Sequence, residues 1–270
     1  MIGIFDSGVG GLTVLREIHK KLPEHSTVYL GDSARAPYGD KSHDEITRFT
    51  WEGVRWLFDR GCPLVILACN SASAQALRTI QQTKLDDYPG RRVLGVIRPT
   101  VEELADRGYA HIGILATPAT VKSEAYVKEL KNINPDIHVT QHAASGWVDL
   151  VEAGKAKSDE ARNIVKADVN ALLDDCGEID AVLLGCTHYP VLYDTIRQIL
   201  PKEIDLFDQG PIVAEKLVDY LNRHPDINDR LVKNADREYF TTGDANQARS
   251  AASQIAGFDS EFEHVKISSQ

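Results

Sequence analysis

Along the chain, short runs of apolar residues alternate with longer stretches where apolar positions recur every three or four residues. The short runs read as buried strands, the longer ones as helices with one apolar side. On that pattern strands fall at 2–5, 27–30, 64–67 and 92–96. Helices fall between them at 12–22, 43–61 and 70–82, the first ended by Pro23. In the 43–61 helix, Ile46, Phe49, Val54 and Leu57 share one side. The stretch from Gly31 to Gly39, with Asp32, Arg35, Pro37 and Tyr38 in it, is too rich in turn formers to be regular.

The pattern then starts again. Ile112-Gly113-Ile114 repeats Ile2-Gly3-Ile4 at an offset of 110 residues. Strands follow near 137–141 and from 181, with helices at 147–154, 158–176 and from Cys186 to about 200. The offset carries Cys69 to position 179, seven short of Cys186, a difference that loop insertion explains. A last block holds a strand at 204–207, a helix at 211–222, a strand at 238–241 and a helix at 245–256. The expected fold is α/β, with two pseudo-symmetric domains, each a parallel-type sheet flanked by helices. The expected domains are 1–96 plus 208–270, and 97–207. An active site in the cleft between them would lie at the carboxyl ends of the strands.

Composition narrows the function. With 43% hydrophobic residues among 270, the chain can bury one large or two modest α/β cores. A formal charge of −10, with no basic cluster, excludes a dedicated nucleic-acid surface. No apolar run approaches the ~20 residues of a membrane span, and the first residues read as a strand rather than a signal peptide. The four cysteines, Cys62, Cys69, Cys176 and Cys186, show no CxxC spacing, so neither a metal site nor a disulfide framework is expected. Free thiols suit a reducing, cytoplasmic compartment.

Two of the thiols carry the candidate chemistry. Cys69 follows Leu64-Val65-Ile66-Leu67 and Cys186 follows Ala181-Val182-Leu183-Leu184, each ahead of a predicted helix. At a helix amino end, free N–H groups favour an anion and lower a thiol pKa. Two opposed thiols suit removal of a Cα proton from one face and its return to the other. Asp6 and His188 could hold or pass protons beside them. Cys62 and Cys176 read as small core residues. The motifs hold almost no cation besides Arg35, so backbone N–H groups and hydroxyls would have to bind anions.

Two other readings fit less well. Gly8-Val9-Gly10-Gly11, with Asp32 downstream, suggests a dinucleotide fingerprint, but Thr13 stands where glycine is needed. A Cys–His hydrolase would use one cysteine and leave the other unexplained.

Asp6-Ser7-Gly8, GDSARAPYG at 31–39, ACNSA at 68–72, LVEAG at 150–154 and GCTHYP at 185–190 stand in this order over nearly the whole chain. In them the chain resembles the glutamate racemases, within the cofactor-independent aspartate/glutamate racemase superfamily. Aspartate and hydantoin racemases, in the same superfamily, differ in the loop around Tyr38. The resemblance implies interconversion of L- and D-glutamate without cofactor or metal, supplying D-glutamate for peptidoglycan. It implies Cys69 and Cys186 as the two bases, Cys69 acting on D-glutamate and Cys186 on L-glutamate. Asp6, Ser7, Tyr38, Gly39, Asn70, Ser71, Thr187 and His188 would line the substrate, with hydroxyls of Thr117 and Thr120 from the second half. Asp6, Asp32, Glu152 and His188 would assist as acidic and imidazole groups. A homodimer is implied as well. Ser71 stands where the family usually has Thr, and Arg98, where many members carry another residue, reads as a surface charge.

Overall fold

Val-, Ile- and Leu-rich runs form strands here because helices cover both faces of the sheets they enter. In the computed structural model, which describes residues 1–257 and 259–267, there are ten such strands. They are β1 (Ile2–Asp6), β2 (Thr27–Gly31), β3 (Leu64–Leu67), β4 (Arg92–Gly95), β5 (His111–Ala116), β6 (His138–Ala143), β7 (Ala181–Gly185), β8 (Asp205–Phe207), β9 (Arg237–Thr241) and β10 (Glu263–His264). One sheet runs β10-β9-β2-β1-β3-β4 and the other β6-β5-β7-β8. Every pairing is parallel. The expected α/β class with two sheets is what forms.

The order β2-β1-β3-β4 in one sheet matches β6-β5-β7-β8 in the other, as an internal duplication requires. The register is sharper than the sequence match. Ile2 pairs with Leu64, and Ile112 pairs with Ala181. Cys69 lies five residues past Leu64 and Cys186 five past Ala181, so the two thiols occupy equivalent places. The seven extra residues fall between β5 and β7. Gly3 and Gly113 are also equivalent. A Cβ at Gly3 would stand 3.3 Å from Leu57 of helix His43–Asp59, and one at Gly113 3.0 Å from Leu172 of helix Asp159–Cys176. The shared Ile-Gly-Ile therefore records the same close packing of a helical layer on a strand.

The helices follow the apolar spacing. Helix Leu12–Lys21 buries Leu12, Leu15 and Ile18 and packs along helix Gln209–Arg223, so the last block of the chain rests on the first. Helix His43–Asp59 opens with a capping box, Ser42 and Glu45 each accepting the other's backbone N–H. Several expectations change. The helix expected over 70–82 is two, Asn70–Gln75 and Leu77–Thr83. The first piece packs on helix Pro118–Ser123 of the second half and the second on β4. The helix Ile97–Asp106 is not among the expected elements. Pro99 falls in the first turn, where the helix needs no N–H from it, and Ile97, Val101 and Leu104 are buried. The strand β10 and the short helix Pro225–Asn228 are also additions. The 31–39 loop contains a 3-10 turn at Ser33–Arg35 and begins another at Tyr38–Asp40.

His19 gives the fold a dependence on acid. It is buried between its helix and β2, with Nε2 2.9 Å from Thr27 Oγ1. Burial, with help from Arg237, lowers its pKa from 6.5 to about 4. Between those values the unfolded chain binds a proton that the folded chain refuses. The contribution of neutral His19 is therefore complete above pH 6.5 and is lost as pH falls through 4. The thermal midpoint should drop across that window, and His19→Gln should flatten the drop; an unchanged slope would remove His19 from the account.

Candidate active site

The carboxyl ends of β1, β3, β5 and β7 face a common cavity. Ser7, Tyr38, Gly39, Cys69, Asn70, Ser71, Thr117, Glu152, Cys186, Thr187 and His188 border it, with Ala36, Pro37 and Val148. Both thiols, one from each half, therefore meet at one cleft. Its volume is about 20 Å³, room for about one water. Three of the anticipated residues, Asp6, Asp32 and Thr120, are buried and stand one layer behind the lining.

Cys69 caps helix Asn70–Gln75, its Sγ accepting the Ala72 N–H at 3.5 Å and donating to Ser7 Oγ at 3.4 Å. The lowered pKa expected from that position does not result. Burial raises the thiol to about 12, the nearby Asp6 charge adds to the rise, and the bonds to Ser7 and Ala72 only partly oppose it. Six residues of helix are too short to offset full desolvation. Burial therefore favours the protonated thiol at Cys69.

Cys186 is set differently. It ends β7 but does not start a helix: a turn at Thr187 and His188 leads into a 3-10 turn at Tyr189–Leu192, and helix Tyr193–Ile199 begins later. The turn folds His188 back onto its own thiol. Nδ1 lies 3.9 Å from Cys186 Sγ, and Nε2 lies 3.0 Å from Glu152 Oε1. Burial alone would favour neutral imidazole, but the bonds to Cys186 and Glu152, with their charges, outweigh it and raise His188 to about 10. A protonated imidazole thus stands beside Cys186, where Cys69 has the Ser7 hydroxyl and the Ala72 N–H.

The Gly-rich turn after β1 serves this contact rather than a phosphate. A Cβ on Gly10 would lie 2.5 Å from the His188 ring and 2.5 Å from Thr187 Oγ1. Thr187 donates to Asp6 Oδ1 at 3.3 Å, and the Gly8 N–H donates to Asp6 Oδ2 at 2.9 Å. Burial raises Asp6, against the opposing influence of His188 and these bonds. Thr13 Oγ1, within hydrogen-bond reach of the Gly10 and Thr187 carbonyls, ties the same turn to the second half.

Around Tyr38, the cation that stands in these motifs is occupied. Arg35 donates to Asp32 at 2.7 Å and also to Glu52, and its guanidinium lies 4.1 Å over the Phe49 ring. Asp32 accepts as well from Tyr38 and Thr242. Burial pushes Asp32 up, and those partners hold it back. Arg35 and Asp32 therefore brace Tyr38 rather than reach the cavity. Opposite, Ser71, Thr117 and Thr120 form a hydroxyl cluster across the halves, with Ser71 3.0 Å from Thr117 and 3.4 Å from Thr120. Arg98 is exposed and paired with Glu102 and Glu129, as a surface charge would be.

Sequence reasoning missed the support of Asn70. Asn70 Nδ2 donates to Gln209 Oε1 at 2.6 Å, Gln209 Nε2 donates to Tyr126 Oη, and Tyr126 Oη donates to Asn70 Oδ1. Gln209 and Tyr126 lie far from Asn70 in sequence and in no motif; the one available hint is that Gln209 follows the end of a strand, as Cys69 and Cys186 do.

Comparison with known proteins agrees with this geometry. A model of the Asp/Glu/hydantoin racemase family matches residues 7–217. A glutamate racemase of Ruegeria sp. (strain TM1040) is 40% identical over 273 residues, covering 97% of this chain and 98% of that protein. The crystal structure of a glutamate racemase from Bacillus anthracis superposes with a TM-score of 0.89 at 31% identity, covering 99% of this chain and 97% of that one. That of the Francisella tularensis glutamate racemase in complex with D-glutamate gives 0.87 at 29% identity, covering 98% and 97%. No described helix is long and apolar enough to cross a membrane. The chain belongs to the Asp/Glu/hydantoin racemase family, among its glutamate racemases.

Proposed function

We propose that the protein interconverts L- and D-glutamate by proton transfer at Cα between two thiols, with no cofactor, and so supplies D-glutamate for peptidoglycan. The observation that carries this reading is the pair of equivalent thiols on one cavity, one a full thiol and the other beside an imidazole. Racemisation by two groups needs one proton donor and one acceptor at the start. Cys69, held as a thiol, is the donor toward the D product. Cys186, in its thiolate form beside the His188 imidazolium, removes the Cα proton of L-glutamate. Glu152 keeps the imidazole charged and oriented. In the reverse direction the two exchange parts. Carboxylates of the substrate are held by N–H groups and hydroxyls, because Arg35 is already paired; the Asn70 amide, the Ser71 and Thr117 hydroxyls and the Thr187 backbone N–H are the donors at hand.

The cavity is too small for glutamate as it stands, so the halves must part to admit it and close to exclude water. The proposed domains remain 1–96 plus 208–270 and 97–207, supported by the strands each sheet recruits. A cytoplasmic place of work and a homodimer belong to the same proposal, on the family's example. The test is a chirality assay on purified protein with L-glutamate, D-glutamate and both aspartates, without added cofactor. Loss of optical rotation from either glutamate, and not from aspartate, is expected; no racemisation of glutamate would end the reading.

A further inference from the structure

The ring of Asn70, Gln209 and Tyr126 has a direction, and Thr100 sets it. In an amide–amide–phenol ring, the two amides can turn together and reverse every donor and acceptor without breaking a bond. Nothing within the ring chooses between the two states. Gln209 Nε2, however, also lies 3.2 Å from Thr100 Oγ1. The Thr100 hydroxyl donates its own hydrogen to the Val96 carbonyl at 2.7 Å, one turn back along helix Ile97–Asp106. Toward Gln209 it can only accept. Gln209 must therefore turn its nitrogen, not its oxygen, to Thr100.

The rest follows around the ring. With Nε2 toward Thr100 and Tyr126, Gln209 Oε1 takes a hydrogen from Asn70 Nδ2, and Tyr126 gives its hydrogen to Asn70 Oδ1. All four residues are buried. Asn70 Nδ2 carries a second hydrogen, and Asn70 borders the cavity beside Cys69. In the reversed ring, the same place would show the cavity a carbonyl lone pair.

We propose that Gln209 and Thr100 are positioning residues that lock the Asn70 amide so that it offers an N–H, not a carbonyl, to the substrate carboxylate. This rests on the reading of Asn70 as a substrate donor. It answers how a site whose Arg35 guanidinium is already paired holds a substrate with two carboxylates. Low dielectric strengthens a correctly aimed N–H and makes a wrongly aimed carbonyl repulsive. Thr100 touches neither substrate nor thiol, yet decides which of the two the site presents.

The experiment compares KM and kcat for both enantiomers in Thr100→Val, Thr100→Ser and Gln209→Met. Thr100→Val keeps the shape and removes the acceptor. Gln209→Met keeps the length and removes the amide that orients Asn70. Both should raise KM about tenfold for L- and D-glutamate alike, with kcat within about threefold. Thr100→Ser should retain the wild-type KM. A purely structural role would instead lower the thermal midpoint and the active fraction and leave KM alone. In an Asn70→Ala background, Thr100→Val should add nothing to KM, because its effect runs through that amide. An unchanged KM in Thr100→Val, or a rise of equal size in the Asn70→Ala background, overturns the positioning role while glutamate racemisation by the unaltered protein still stands. Should Thr100→Val not fold, Thr100→Ala, which also removes the acceptor, decides in the same way. Failure of the unaltered protein to racemise glutamate would instead remove the functional reading beneath it.

Discussion

Cys69→Ser and Cys186→Ser should each lower glutamate racemisation about a thousandfold, with the circular dichroism spectrum and thermal midpoint little changed. The hydroxyl fits where the thiol sat, so the fold has no reason to fail, but an alcohol is a far weaker acid and base for a Cα proton. The two variants should differ in heavy water. With Cys69 as donor, Cys69→Ser should still let the Cα proton of L-glutamate wash out slowly into solvent, because Cys186 and His188 remain. Cys186→Ser should suppress that exchange and spare exchange from D-glutamate. Polarimetry gives the rate and proton NMR the exchange. Either single variant turning over within a few fold of the parent would end the two-thiol scheme, and identical exchange from both enantiomers in both variants would end the assignment of faces.

Gly10→Ala should be nearly as damaging, although alanine adds one methyl group to a turn. The new carbon would stand 2.5 Å from the His188 ring and from Thr187 Oγ1. Neither can yield easily: His188 is clamped between Cys186 and Glu152, and Thr187 is bonded to Asp6. The halves must then separate or His188 must tilt away from its thiol. A displacement near 1 Å at such a group costs about a hundredfold in turnover, and overpacking costs about 1–3 kcal/mol of stability. Steady-state kinetics beside thermal melting checks both. Full activity in Gly10→Ala would mean that the contact between this turn and His188 does not matter to catalysis.

Much of this could be read in the chain. The strands were legible because buried parallel strands are unbroken apolar runs, and Cys69 and Cys186 stood out because each ends such a run. What sequence could not supply was burial. Cys69 was expected to ionise easily at a helix start, and its pKa moves the other way because desolvation exceeds what two weak bonds and six residues of helix return. Cys186 was expected at a helix start and sits in a turn instead, a difference set by where His188 must fold back. Arg35 stood out as the exceptional cation in motifs expected to bind anions through N–H groups and hydroxyls, and the fold shows it spent on Asp32 and Glu52. Gln209, Tyr126 and Thr100 left no local mark, because a ring of hydrogen bonds joining four distant segments has no period and no motif.

The equal register of the two halves has a consequence for handedness. A pocket with perfect twofold symmetry would accept glutamate equally in two poses related by the axis, and neither thiol would own a face of the molecule. Position for position, Ser7 answers to Thr117, Asn70 to Thr187 and Ser71 to His188. These mismatched pairs are where the copies have drifted apart, and they supply the bias that lets a chiral amino acid settle one way round.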